Sequence, residues 1–450
     1  MKKNIKTLKD PVTGVVIHPV TVGDAVYLDN GTRLEDNIRY CRNKSTEIGD
    51  LSKLLTNNKH TLVSAINELI NKNYNAQFGV RFVGSETNGI RIGDAYDMTA
   101  VPQFSEQEAV VNDFDSVYPW CEMKRCVINE FGEIVAYEGE PGFFTNGLLG
   151  DVFVEIPKFY QKMYKDEQQN YIEYWISSVK DDGFWLNPAF KDGDIELDHI
   201  YIGCYEAVYE NEFLYSRAGG TISGNKTLDE YRTLAKNKGK GFKLCDLLEH
   251  NLIEYLFMIE YATRNSQNIY KSNCISALYS TGMTDSLDKP SEASSDTYAS
   301  PFRYRYLENI YGNAYEMVDG IYLVDNKIKL TTDISRYGSY NDYVTLNIDL
   351  LNSADTSNSS FFIADKLYNI SLPYLHLPIY NADKLSSNNT YYSDYTLYSN
   401  DSYNKVILTG GRTGLADNAE VGLFTINGQS VLSTYKSDYT TTRLCYKPIK

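Results

Sequence analysis

The chain has few of the residues on which catalytic and metal-binding motifs are usually built. Its 450 residues include five histidines, seven cysteines and three tryptophans. His18, His60, His199, His250 and His376 fall in no HxH, HExxH or His–Cys spacing, so neither a zinc motif nor a His-based triad is indicated. Cys41, Cys121, Cys126, Cys204, Cys245, Cys274 and Cys445 contain no CxxC pair, which argues against a zinc ribbon or a disulfide framework. Reduced thiols, and therefore synthesis in a cytosol, are the default. Positive charge is also short: 43 Lys and Arg face 59 Asp and Glu, a net charge of -16. Phosphate backbones and anionic membranes call for a basic footprint, so both are poor partners. No run approaches the roughly 18 apolar residues of a spanning helix, and the opening MKKNIKTLKDPVTG lacks the apolar core of a signal peptide.

Tyrosine is what the chain has in excess: 39 residues, beside 18 phenylalanines. Tyrosine gives large amphipathic contact area at low entropic cost, as recognition surfaces need. It also favours strands, and composition leaves both readings open. The length predicts two to four domains.

Residues 1–36 alternate and turn. Val15, Ile17, Val22, Val26 and Leu28 predict short strands, with Asp29-Asn30-Gly31 as a hairpin turn. In 37–75 the apolar positions Ile48, Leu51, Leu55, Leu62, Ile66 and Leu69 recur at helical or heptad intervals. They predict a self-associating stalk, most simply a trimer; a helix packed on its own domain is the alternative. From residue 76 alternating runs predict strands. Thr227 with Glu230 reads as a capping box, ended by Gly239 or Gly241, and Asp246 as the N-cap of a helix with a wide apolar face.

Glu316 and Asp319, in NIYGNAYEMVDG, are the obvious carboxylate pair. Sequence spacing cannot place two carboxylates across a cleft, and Asp319-Gly320 reads as a turn. Gly312 permits a tight turn, Asn313 can bond local backbone, and Tyr311 and Tyr315 read as core. Gly219-Gly220 lacks the rest of a phosphate loop and reads as a turn. The stretch HLPIYNADKLSSNNTYYSDYTLYSNDSYNK mixes aromatic faces with short polar side chains, as paratopes do. It nominates Tyr380, Asn381, Asn388, Asn389, Tyr391, Tyr392, Tyr395, Tyr398 and Tyr403 as a binding surface, with Arg412 as an anion or sugar contact. A solvated loop with strand tyrosines would read the same way.

Taken in order, the strands, two helices, NIYGNAYEMVDG, LTGGRTGLADNAEVGLF and TTRLCYK resemble the C-type lectin-like fold. The closer likeness is to the branch of formylglycine-generating-enzyme-like domains and retroelement variable proteins, over roughly residues 150–450. PVTGVVIHPVT, TLVSAINELINK and FGVRFVGS…RIGDAYDM…NDFDSVYPW…GDVFVEIPKFY are similar to phage tail-fibre and baseplate proteins. The resemblance implies an α+β protein in four parts: an attachment unit at 1–36, a helical trimerisation stalk at 37–75, a β-rich middle domain at 76–150, and a lectin-like domain at 151–450.

It further implies a homotrimeric receptor-binding protein at a virion tail tip or baseplate. The chain would be made in the host cytoplasm and act outside it, meeting other tail proteins through its N-terminus and a bacterial surface glycan or protein through distal loops. No catalysis, cofactor, metal, nucleic acid or membrane insertion is expected. The calcium-lectin signatures EPN, QPD and WND are missing, and the oxidase branch's cysteine pair is not evident, since Cys274 is the next cysteine before Cys445. Two alternatives stay open. A depolymerase or oxidase would show facing carboxylates or a second cysteine beside Cys445. A structural baseplate component would bury 380–403 between subunits.

Overall fold

The computed structural model describes residues 76–448 apart from 223, 273–276, 299, 326, 351–358, 370–371, 382, 385, 400–401, 413 and 415–419, together with four short strands in the first 27 residues. The chain divides into two compact units, Met1–Asn73 and Tyr74–Lys450. In the first, Leu8–Lys9 pairs with Val16–Ile17, and Val20–Val22 with Ala25–Tyr27, both antiparallel. The stalk expected over 37–75, with Ile48, Leu51, Leu55, Leu62, Ile66 and Leu69, lies outside the described residues.

The second unit is built on three large sheets, with smaller sheets of two or three strands beside them. A five-stranded sheet runs, edge to edge, Trp185–Leu186, Tyr160–Asp166, Tyr171–Ser177, Gln77–Val83 and Ile90–Gly93. Its alternation is legible in QFGVRFV, where Phe78, Val80 and Phe82 are buried and Arg81 faces outward to Glu173. A six-stranded sheet runs Phe242–Leu244, Leu444–Tyr446, His199–Gly203, Asp151–Pro157, Lys124–Ile128 and Ile134–Tyr137. Every residue of its DVFVEIP strand is buried because the sheet is covered on both faces. Val152, Val154 and Ile156 join one core, and Phe153 joins another. An eight-stranded sheet is centred on Tyr315–Val324 and Lys405–Thr409, with a third core against it.

Two α-helices lie among the described residues. Helix α1 (Leu228–Asn237) starts with the expected capping box: the Thr227 hydroxyl accepts from the Glu230 N–H, and the Glu230 carboxylate accepts from the Thr227 N–H at 2.7 Å. Helix α2 (Leu247–Tyr261) is capped by Asp246, again in a capping box. Instead of one wide apolar face, α2 is buried on every side, and Glu249, Glu254 and Glu260 are buried with it.

These observations correct the expected α+β class. The architecture is β-rich, with strands carrying the structure and the two helices inserted among sheets. The expected border at residue 150 is also crossed by pairing: Gln77–Val83 pairs residue for residue with Tyr171–Ser177, and Lys124–Ile128 with Asp151–Pro157. Local alternation reports strands but not their partners, so the border that the resemblance implied falls inside shared sheets.

Candidate functional site

Glu316 and Asp319 do not face a cleft. The expected turn at Asp319-Gly320 is instead the middle of the strand Tyr315–Val324, which bulges where Gly320 adopts φ 74°. Successive strand residues alternate in direction, so positions three apart diverge. Glu316 accepts from Arg443 Nε at 3.1 Å and from Nη2. Asp319 takes both arms of Arg232, at 2.8 and 2.9 Å. The rest of the segment is buried among neighbouring elements, although Asn313 bonds groups distant in sequence rather than the local backbone expected of it. Gly312 sits at φ 90°, and a Cβ there would come within 2.5 Å of Ser272 O. Asn313 donates to Glu206 at 2.6 Å and accepts from Tyr279 N–H at 2.8 Å. Tyr311 is buried and donates to Tyr270 O at 2.8 Å.

A cleft of about 250 Å³ opens where the loop around 381–392 meets the hairpin of the five-stranded sheet. Tyr171 and Asn170 stand on the hairpin side, with Lys165, Asp166 and Glu167; Asp365, Asn381, Lys384 and Tyr391 stand on the loop side; Arg264 and Tyr392 form the base. Arg264 follows α2 directly, after Ala262 ends the helix in the left-handed region. Asp365 gathers the loop side, accepting from Lys384 Nζ at 2.9 Å and Asn381 Nδ2 at 3.1 Å, with Lys165 Nζ at 3.7 Å. The arrangement offers an aromatic face, amide donors and paired charges that can exchange partners, which suits a polar, ring-bearing ligand.

Below the base lies a buried hydrogen-bonded chain. The Tyr392 and Tyr174 hydroxyls share a hydrogen bond at 2.5 Å, the Tyr174 hydroxyl meets His376 Nε2 at 3.1 Å, and His376 Nδ1 meets the Glu254 carboxylate. Glu254 also receives Lys366 Nζ at 2.7 Å. Burial works to raise the Glu254 pKa, but Lys366 and His376 outweigh it and hold the carboxylate well below its ordinary range. Burial, aided by Lys366, pushes His376 down to about 4.

Of the residues nominated from sequence, the cleft unites Asn381, Tyr391 and Tyr392. Two nominations are corrected. Tyr392 is 1% exposed and rests on Phe424 and His376, and Tyr398 is fully buried and donates to Pro378 O at 3.0 Å. Both are core residues: Tyr398 because alternation along the strand Tyr395–Tyr398 sends its ring inward, and Tyr392 because the turn before that strand folds its ring against Phe424 and His376. Tyr380 packs edge-to-face on Phe361, and Tyr395 packs on Phe362 and donates to Ser360, both away from the cleft. Asn388, Asn389 and Tyr403 are exposed elsewhere, and Arg412 lies over Tyr439 at 4.9 Å. Sequence reading missed Lys165, Asn170, Tyr171, Arg264, Asp365 and Lys384. Tyr171 was visible only as one residue of an alternating strand, and no local pattern marks Arg264.

A second polar cluster surrounds Cys445. Its sulfur, the Cys245 sulfur and a Glu249 carboxylate oxygen lie within 4.8 Å of one another. The cysteine beside Cys445 is therefore Cys245, brought there by pairing of Phe242–Leu244 with Leu444–Tyr446. Lys243 Nζ bridges Asp246 at 3.0 Å and Glu249 at 2.5 Å. The hydrogen bond with Cys445, then burial, holds the Cys245 thiol well above its ordinary value, so it stays protonated. Burial and the Asp246 charge push Glu249 up to about 7. Burial would also raise Asp246, but Lys243 and the Tyr337 hydroxyl outweigh it and hold Asp246 at about 2.

The sequence matches no protein-family model and no curated protein.

Proposed function

We propose that the chain is the receptor-binding protein of a phage tail or tail-like particle, adsorbing to a glycan or protein on a bacterial surface without catalysis. The observation that carries this reading is the cleft joining Tyr171, Asn170, Asn381 and Tyr391 in one open, aromatic and polar surface. The acidic charge and the tyrosine excess support it. In this reading the second unit carries a lectin-like recognition module, residues 1–36 attach to the tail tip or baseplate, and residues 37–75 bring three copies together. Weak single sites would then gain strength from multivalency.

The test is saturation binding of the labelled full chain to a panel of whole bacterial cells, with released carbohydrate assayed in parallel. Saturable binding to some strains is expected, with no sugar released. Tyr171→Ala and Asn381→Ala should each weaken it about tenfold, the effect of losing roughly 1.4 kcal/mol of contact, at unchanged Tm. Undiminished adsorption by both variants would remove the cleft from the contact, and released oligosaccharide would make the protein a depolymerase.

A second reading rests on the Cys245–Cys445 pair, the juxtaposition that an oxidase on this scaffold would need. Both thiols are buried, whereas Cys121 is exposed. Under the adhesin reading, iodoacetamide should label Cys121 in the native chain and reach Cys245 and Cys445 only after denaturation. Rapid native labelling of that pair, with oxygen consumed in the presence of a thiol peptide, would favour the oxidase.

A further inference from the structure

We propose that the cleft receives an anionic group of a saccharide, a carboxylate or a phosphate, with Arg264 as its counter-charge. The inference rests on the receptor reading above and names the chemistry of its ligand.

Three cations and three carboxylates line the cleft, but their pairing leaves one cation over. Asp365 is occupied by Lys384 and Asn381, with Lys165 close by. Glu167 lies 3.4 Å from Lys165. Asp166 turns away to accept from the N–H groups of Gln168 and Gln169, both at 2.9 Å. Arg264 meets no carboxylate among the described residues. Its Nη2 donates to the carbonyls of Gly84 at 3.1 Å and Glu86 at 2.5 Å, and its Nε finds no partner among those residues.

Three rings enclose the guanidinium: Phe82 at 4.7 Å, Tyr392 at 5.2 Å and Tyr391 at 5.5 Å. Ring faces attract a cation, but they do not neutralise it. An arginine that is 3% exposed and whose guanidinium meets no carboxylate among the described residues is an incomplete site. The cleft is the direction from which a negative charge can complete it.

The covering loop points the same way. Tyr391 and Ser393 hold φ at 55° and 57°, a left-handed backbone that costs a side-chain-bearing residue free energy. The Tyr391 N–H is tied to Ser85 O at 2.8 Å, which fixes that ring over Arg264. Arginine suits carboxylate and phosphate geometry better than a point charge does. At the rim, Lys165 and Lys384 share Asp365 and so have donors to spare for the same anion. Asn170, Asn381 and Tyr171 are placed to read the attached sugar.

The test is titration calorimetry of the full chain with tri-galacturonate, its neutral analogue galactotriose, and sn-glycerol 3-phosphate. Tri-galacturonate should bind at least tenfold more tightly than galactotriose, and the preference should disappear in Arg264→Gln. Because that variant could also disturb the fold, Lys165→Ala, which leaves Asp365 its contacts with Lys384 and Asn381, gives a second route at the rim, expected to cut the preference several-fold at unchanged Tm. Equal binding of sn-glycerol 3-phosphate would support a phosphate source as well as a carboxylate one; binding of tri-galacturonate alone would restrict the ligand to carboxylates.

Equal affinity for the neutral sugar, a preference that survives Arg264→Gln, or no binding by any of the three probes would overturn the proposal. Cell adsorption separates this failure from that of the receptor reading. Adsorption that still depends on Tyr171 leaves the receptor standing without the anion; adsorption indifferent to the cleft removes both.

Discussion

Replacing Glu316 with alanine is expected to lower stability by about 3–5 kcal/mol, the cost of leaving a buried ion without its partner. The orphan would be Arg443, which is 1% exposed. Its other donors already hold the carbonyls of Gly203 at 3.1 Å, Cys204 at 3.0 Å and Glu308 at 2.8 Å. The side chain therefore has nowhere to go, and its charge would stay inside. Arg443 joins the last strand, the strand His199–Gly203 and the segment before Gly312, so the loss should appear as cooperative unfolding of the second unit. Thermal and urea unfolding of the variant measure it. Glu316→Gln, which keeps the shape and one acceptor, should lose less. An alanine variant as stable as the parent would mean that Glu316 has some other task, and the catalytic reading of the NIYGNAYEMVDG segment would return.

The second large effect depends on pH. His376 is fully buried and held neutral, its pKa pushed to about 4 by burial and by Lys366. In the unfolded chain it titrates near 6.5. Between those values the unfolded chain takes up a proton that the native chain refuses, so stability falls as pH falls. The slope is about 1.4 kcal/mol per pH unit, or roughly 3 kcal/mol by pH 4. Glu254, depressed in the native state, adds a loss of the same sign below its unfolded value, while Glu249, raised to about 7, works in the opposite direction. Comparison with His376→Gln cancels Glu249, which is common to both proteins, while Glu254, which touches His376, enters only below its unfolded value of about 4.3. The variant should be less stable at pH 7, and the gap should close by roughly 3 kcal/mol towards pH 4. A gap that stays constant from pH 7 to pH 4 would show that His376 titrates alike in both states.

What the sequence made legible was local. Thr227 with Glu230 as a capping box, and Asp246 as an N-cap, announce two helix starts because capping chemistry uses near neighbours in sequence. Gly312 announces a backbone that no side chain tolerates. What stayed hidden depends on pairing across long separations. The cleft needs Tyr171, Arg264, Asp365 and Tyr391, four segments that only sheet topology brings together. Cys245 and Cys445 are 200 residues apart in sequence and become neighbours through one strand ladder. The tyrosines of 380–403 carried the right composition for a surface, but composition does not say which rings of a strand and its flanking turn point inward. Those of Tyr392 and Tyr398 do.

The six-stranded sheet has a further consequence, for synthesis. Leu444–Tyr446 lies inside the sheet, between His199–Gly203 and Phe242–Leu244. Arg443 reaches Gly203 across 240 residues. At translation rates of about 5–20 residues per second, the earlier strand waits roughly 12–50 s for its neighbour. During that time the nascent sheet has an open flank along His199–Gly203, with unpaired backbone groups able to bond another chain. Such high contact order slows folding as well. The polypeptide is thus most prone to aggregate while it is still being made, and chaperone supply or a lower growth temperature would bear more on soluble yield than the stability of the finished fold.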